Sequence, residues 1–583
     1  MTDPMSTESF VRKLDFRIPR ICLVCLLWAV SILMAFLSET PLVALPAFRV
    51  IALSVVGVLG GIILPIKSLG KMNRALLGCL ILAFLYWSGL QLMRVTNQPF
   101  SLAWSEGNHL WDASLIYIRG SYLWQGEAIV PNYVTPGLYG LRGLPFIFEK
   151  PLLIHLRLWE ATLWILPGLA LGWAMTLIWK WRDLPWQIGF AIWASLFLTQ
   201  GPVYAPLLLA CMIAIFSVRV EKGRYIFLLV LIATFVAGIS RWTWIIAPPA
   251  VALIAILLRW DLDSGQLEQN HPFPRSFFVW ILGAGISGAA LALLANSLIT
   301  GRQGLPYLAS LRQPLLWYRL LPNVTYEPGI LAGLLIFAGP VTLALVLWLW
   351  REIQRLSWQV LFLIGMIMFG LLGIGLVVSV KIGGGSNLHN LDMFLVAIIV
   401  IASLAVGISL TFRDRFFPTK TLAERVLLVG VVLLPVIWVF SRNPFRLPWT
   451  TDIAETSLEQ LTDIVREQAA EGDVLFIDQR QLFTFGYLED IPLVAEYELI
   501  ELMDHAMAAD EPYLQKFSWE LREKRFSAIV VDPLTIVWKG SQASFGEEND
   551  AWVQYVTIPI LAEYEPLLQL DDVGVWVLIP RSD

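Results

Sequence analysis

The sequence predicts a polytopic α-helical membrane protein, of about 13 transmembrane helices by the hydropathy criterion, that carries a C-terminal α/β domain. Three observations predict it. Of 583 residues, 57% are hydrophobic and 15% are charged, against about a quarter charged in soluble domains. The apolar residues come in runs such as "ICLVCLLWAVSILMAFL" and "LDMFLVAIIVIASLAVGISLTF", which approach the roughly 20 residues that cross a ~30 Å hydrocarbon core. After residue 450 the pattern changes. "DIAETSLEQLTDIVREQAAEG" reads as a helix leading into the strand "DVLFID" (473–478), and "EPYLQKFSWELREKR" as one leading into "FSAIVVDP" (526–533). "YEPLLQLDDVGVWVLIP" reads as a hairpin. Helices alternating with short, fully apolar strands indicate an α/β unit, and about 130 residues can build a core of their own.

The predicted spans are 21–37, 44–66, 75–93, 152–179, 186–200, 203–218, 225–240, 243–259, 276–298, 329–350, 357–379, 391–411 and 425–440. The lead "MTDPMSTESFVRKLDFRIPR" is polar and basic, and no small-residue cleavage site follows it, so the first span reads as a retained anchor. Arg12, Lys13, Arg17 and Arg20 precede that span, and every second loop after it is basic, whereas "SETP" and "QGP" on the other side hold no Lys or Arg. The positive-inside rule then makes the N-terminus cytoplasmic. Three domains follow: a cytoplasmic segment 1–20, a membrane domain 21–440 with an amphipathic outer loop 94–151, and an extracytoplasmic α/β domain 441–583. The hairpin 240–244, the loop 299–328 and the loop 380–390 fall on the same outer side. Cys22, Cys25, Cys79 and Cys211 all lie in apolar spans, where the CxxC spacing of the first two reads as packing and no disulfide framework is visible. A net charge of -5 offers no basic face to nucleic acid.

In the outer loop, Trp111, Leu115, Ile118 and Tyr122 recur at i, i+4, i+7 and i+11, one apolar face of a helix. Such a helix is expected to lie flat in the membrane interface. Glu106 and His109 then sit opposite the apolar face at headgroup depth, with Asp112 around the side. Lys150-Pro151 marks the entry to the next span. Inside that span Arg157 and Glu160, one turn apart, read as neutralising each other.

Glu106-Gly107, the helix, Arg119-Gly120 with Tyr122, and Lys150-Pro151 before a span together resemble the first outer loop of bacterial polyprenyl-phosphate-dependent glycosyltransferases. That superfamily is of the multi-span GT-C type, and the likeness is to its family 39-like membrane members. "KIGGGSNLHN" (381–390) resembles the superfamily's later outer loop, where glycines precede an Asn or His at the mouth of a span. The resemblance implies an inverting hexosyl- or pentosyltransferase in a bacterial plasma (inner) membrane. Its donor would be a sugar on a polyprenyl phosphate, and its acceptor an extracytoplasmic hydroxyl of a glycan, lipid or protein. It implies Glu106 as general base, a role worth about 10²–10⁴ in rate. Asp112 beside it would orient that base, bind sugar hydroxyls or help hold a divalent cation, the one cofactor with a place here. Contacts to substrate and lipid phosphate would come from His109, Lys150, Arg241, Arg319, Lys381, Asn387 and His389. Arg302 and Arg312 are further cations on that side. No metal-ligand motif is present.

Two other classes compete. A non-catalytic member of the same fold, serving as a structural or assembly subunit, fits Ser105 standing where the family carries a first acid. A transporter or flippase of lipid-linked substrates fits less well, because charge inside the spans is confined to Arg49 and the Arg157/Glu160 pair. In the tail, Asp478 and Asp532 end apolar strands, where both ligand-binding residues and ordinary caps occur. The tail is expected to cover the active site or bind acceptor.

Overall fold

The structure, a computed structural model, describes residues 17–37, 40–122, 129, 135–148, 151–266, 275–300, 313–352, 357–411 and 421–582. Lys150, Arg302, Arg312 and most of the segment 1–20 lie outside the described residues.

Without water in the bilayer core, a spanning segment must satisfy its peptide groups internally, and each apolar run does so as a helix. Ten helices among the described residues are long and apolar enough to cross a membrane, from Ile18–Leu37 to Leu422–Ser441. The expected span 329–350 is broken: Gly329–Phe337 and Gly339–Trp350 meet at a bend of 56°. The cause is local, since Pro340 brings no N–H to the helix and its ring crowds the preceding turn. Two expected spans are shorter than the sequence suggests. Leu184–Leu198 has 15 residues and Ala205–Phe216 has 12, below the roughly 20 that cross the hydrocarbon. They adjoin in sequence and are largely buried among the other helices. Losing both as spans leaves the side of every later loop unchanged. The chain is a polytopic helical membrane protein.

Arg49 is not a charge in mid-span. It sits in the first turn of Pro46–Ile63, buried, and donates to Val43 O (2.9 Å), Ala44 O (2.8 Å), Ser441 O (2.9 Å) and Asn443 Oδ1 (2.7 Å). It therefore ties the start of that span to the end of Leu422–Ser441. Cys22 and Cys25 are exposed on the first span, not packed, and the four cysteines are free thiols.

The C-terminal domain holds a four-stranded sheet of β1 (Asp473–Phe476), β2 (Phe526–Val531), β3 (Tyr564–Leu570) and β4 (Val575–Pro580), in the order β1-β2-β4-β3. β1 and β2 run parallel, with Leu475 opposite Ile529, and the expected hairpin β3–β4 is antiparallel. β1 and β2 are apolar on both faces because both faces are covered. Leu475, Ile529 and Val531 pack with Phe517 and Leu521 on one side. Val474, Phe476 and Val530 meet Leu461 and Val465 of Thr451–Ala469 on the other.

The described parts of loop 94–151, the 240–244 hairpin, the segment from 313 to 328 and loop 380–390 converge on one face of the membrane domain, where the C-terminal domain docks. Gln481 Nε2 donates to Pro99 O (2.9 Å), Asn108 Nδ2 to Ile477 O (2.9 Å) and Arg241 Nη2 to Asn390 Oδ1 (2.9 Å). Leu315 bridges Lys381 in an antiparallel pair.

Candidate functional site

A cavity of about 1460 Å³ opens between the membrane domain and the C-terminal domain. One wall is apolar: Gly373, Ile374, Val377 and Val378 come from Trp358–Ser379. Ile374 and Val377 are 39% and 45% exposed, on a helix long and apolar enough to cross a membrane. A second wall carries Arg241, Lys381, His389 and Asn390, and the roof is built by the C-terminal domain.

Arg241 stands where Gly223–Ser240 ends, in extended backbone (φ -161°). Its guanidinium donates to Asn390 Oδ1 and lies 5.7 Å from the Trp244 ring. Asn390 Nδ2 donates in turn to Gly384 O (3.0 Å), and Trp244 Nε1 to Asp392 Oδ2 (2.7 Å). The hairpin, the glycine loop and the mouth of the late span are thus one network. Burial and the neighbouring Arg241 lower the Lys381 ammonium below its ordinary value. His389 is oriented by Asn387, whose Oδ1 accepts from both the His389 backbone N–H and ring Nδ1, each at 2.7 Å. Asn387 is not among the residues that line the cavity, so its contact is to His389.

The glycine run has a packing reason. Gly383 is left-handed (φ +80°), and a Cβ on Gly385 would stand 2.5 Å from Arg319 Cδ. Gly383 N–H donates to Glu548 Oε1 (2.6 Å), and Arg319 Nη1 donates to the same oxygen (2.7 Å). Arg319 is 0% exposed and also pairs with Glu547 (3.0 Å). It was expected to bind phosphate. Two carboxylates of the C-terminal domain instead neutralise it, and it serves as the docking post for Gly546–Trp552.

The acidic cluster of the first loop is also placed differently from expectation. Glu106–Leu115 is a helix, but it is buried on nearly every side between the two domains and does not lie flat in an interface. Arg480 Cζ lies 4.4 Å from the Trp111 ring, and Tyr122 Oη meets Thr484 Oγ1 at 2.7 Å. A Cβ on Gly107 would stand 1.8 Å from Gln481 Oε1, so the glycine after the acid is needed for docking. Glu106 Oε2 accepts from Leu102 N–H (2.6 Å), and both its oxygens accept from Arg157. Arg157 therefore pairs with Glu106, not with Glu160, which lies 3.7 Å from Arg142.

His109 Nδ1 meets Tyr139 Oη at 2.8 Å, and burial with the nearby Arg142 lowers its pKa to about 3, so the ring is neutral. Asp112 is 2% exposed. Burial and the adjacent Glu498 carboxyl hold it well above the usual aspartate range. The nearby Arg480 acts the other way on both acids, while its own hydrogen bonds go to Phe476 O, Ala495 O and Glu496 O. Among the described residues, no three His, Cys, Asp or Glu side chains gather to hold a metal ion. None of Glu106, His109 and Asp112 lines the cavity. The structure thus brings together Arg241, Lys381 and His389 and sets the acidic triplet apart.

Residues that were not singled out fill the roof. Leu499–Met507 presents Ile500, Met503, Asp504, Met507 and the following Ala508 to the cavity, a file at i, i+3, i+4, i+7 and i+8. Asp532 also lines it, at the end of β2, and shares a hydrogen bond with the Asp478 carboxyl behind it. Burial raises both. The periodicity of "LIELMDHAM" was the signal available in the sequence for this wall.

No protein-family model matches the chain, and no curated protein does either. Among solved structures, ArnT from Cupriavidus metallidurans, crystallised with undecaprenyl phosphate, aligns over 86% of this chain and 98% of its own at 11% identity and a TM-score of 0.38. A likeness of that size assigns no residue a role.

Proposed function

We propose that the protein transfers a sugar from a polyprenyl-phosphate-linked donor to an acceptor hydroxyl, at the face on which the C-terminal domain docks. The observation that carries this reading is the cavity itself. An apolar wall from a span-length helix, two cations and a soluble-domain roof meet in one space, and a polyprenyl-phosphate sugar has the matching three parts. The isoprenoid fits against Ile374 and Val377. Arg241 and Lys381 face the phosphate, where negative charge builds as it leaves, and preorganised cations stabilise such charge most effectively away from water. The basic loops on the opposite side make the docking face extracytoplasmic, in keeping with a donor displayed outside the cytoplasm.

The test is transfer of labelled sugar from polyprenyl-phosphate sugars extracted from bacterial membranes, by purified full-length protein and by Arg241→Ala. Transfer by the wild type that falls at least tenfold in Arg241→Ala supports the reading. Equal transfer by both removes Arg241 from the site. No transfer by either, across several donor pools, favours the structural-subunit reading.

A further inference from the structure

Neither Glu106, which Arg157 holds, nor Asp112 lines the cavity, so the base for the acceptor proton is sought on the cavity wall. Three carboxylates line it: Asp504, Asp532 and Glu548. Glu548 is held by Arg319 and Gly383, and Asp532 by Asp478. Asp504 differs from both. It stands in the apolar file of Leu499–Met507, flanked by Met503 and Met507, and its carboxyl oxygens have no hydrogen-bond or ion-pair partner among the described residues. The opposite face of the same helix is anchored in the domain core by Leu499, Leu502 and Ala506. Met507, one turn on, approaches the glycine loop so closely that a Cβ on Gly383 would stand 3.3 Å from its Cε. That contact sets the Asp504 wall against the loop that carries Lys381. Asp504 is half-buried at the cavity wall, and no cation or donor in the domain's own packing calls for a carboxylate there.

We propose that Asp504 is the general base of the transfer. This rests on the transferase reading above. The acceptor oxygen forms a bond to the anomeric carbon as the bond from that carbon to the donor phosphate oxygen breaks, and the electron pair leaves with the phosphate. The acceptor proton passes to the Asp504 carboxylate and from there to water. The products are the glycosylated acceptor and polyprenyl phosphate. Burial raises the Asp504 pKa to about 7, near the value at which a base is both free and effective at neutral pH. No charged neighbour contributes to that shift, and the titratable groups that share the cavity, Glu548 among them, come from several elements. Arg241, Lys381 and His389 stand on the membrane-domain wall, and His505, Asp532 and Lys539 on the roof. His505 Nδ1 is held by Asp510 at 2.8 Å.

The experiment compares full-length wild type, Asp504→Asn, Asp504→Glu and His505→Gln in nanodiscs, measuring both binding of unglycosylated polyprenyl phosphate and sugar transfer from extracted donors across pH. Expected are unchanged lipid binding by Asp504→Asn, which also shows that it is folded, and a fall in kcat of about 100-fold or more. Asp504→Glu restores part of the rate. The wild-type rate declines as pH drops through about 7, and His505→Gln keeps that limb. Transfer by Asp504→Asn near the wild-type rate overturns the assignment and leaves the transferase standing. Loss of the acid limb in His505→Gln with an unchanged limb in Asp504→Asn moves the base to His505. A wild type that neither binds the lipid nor transfers sugar overturns the assignment together with the reading on which it rests.

Discussion

Arg157 Nε donates to Glu106 Oε1 at 3.0 Å and its Nη2 to Oε2 at 3.1 Å, a two-pronged pair that joins residues 51 apart in sequence. The same guanidinium reaches Thr96 O, Gln98 O and Phe100 O at 2.8–3.1 Å. The side chains are 2% and 15% exposed. The pair folds the start of the first loop over the entry of Leu153–Ile178.

Glu106→Ala is therefore expected to act first on stability. Removing one partner leaves a buried cation uncompensated, at a cost of about 3–5 kcal/mol. Thermal unfolding in detergent checks this. The double variant Glu106→Leu with Arg157→Met is expected to recover much of the loss, which a catalytic role for Glu106 does not predict.

Arg319 holds the C-terminal domain through Glu547 and Glu548. Arg319→Ala strands two carboxylates, one of them buried, and is expected to loosen docking by a similar ~3–5 kcal/mol. Limited proteolysis should then release the C-terminal domain from a membrane domain that stays folded. An unchanged digestion pattern counts against the post.

Lys381 gives up its proton below the ordinary lysine value of 10.5, so its contribution to phosphate binding is full at neutral pH and fades as pH rises through that lowered value. Lys381→Ala is expected to weaken polyprenyl phosphate binding by about 1.5–3 kcal/mol at pH 7 and by less at pH 9.5. Titration calorimetry at the two pH values checks it. An equal effect at both contradicts the lowered value.

Asp112 is raised in the folded protein. A raised carboxyl contributes its stability fully below the unfolded value near 3.8 and loses it as pH climbs toward the folded value. Asp112→Asn is expected to flatten the decline in melting temperature as pH rises above 3.8 and to be the more stable protein at the upper end. A variant that melts earlier at pH 8 would show that the carboxylate is needed ionised.

The fold was largely readable in the sequence because its main driving force is local in sequence: an apolar run of span length has one outcome in lipid. The β3–β4 hairpin was readable for the same reason. What escaped was pairing at a distance. Arg157 has Glu160 one turn away, yet takes Glu106; Arg319 was expected to meet lipid phosphate, yet takes Glu548, 229 residues on. Charges choose partners by three-dimensional proximity, which spacing along the chain does not encode. Arg241, Lys381 and His389 were named from the resemblance and from the side on which their loops fall, and they line one cavity. Asp504 was within reach as the one acid in the file Ile500, Met503, Met507, but an apolar helix face first suggests core.

The bond from Asn108 to Ile477 spans 369 residues, and it sets an order of events during synthesis. The Glu106–Arg157 pair can close as soon as the fourth expected span has emerged. Asn108, Asp112 and Gly107 must wait for the last quarter of the chain, when residues 477–481 arrive to cover them. Until then the helix lies open on a half-built protein, so completion of the C-terminal domain is also the moment at which the membrane domain is sealed. A nascent chain stalled before residue 477 should be a substrate for membrane quality control even with every span in place.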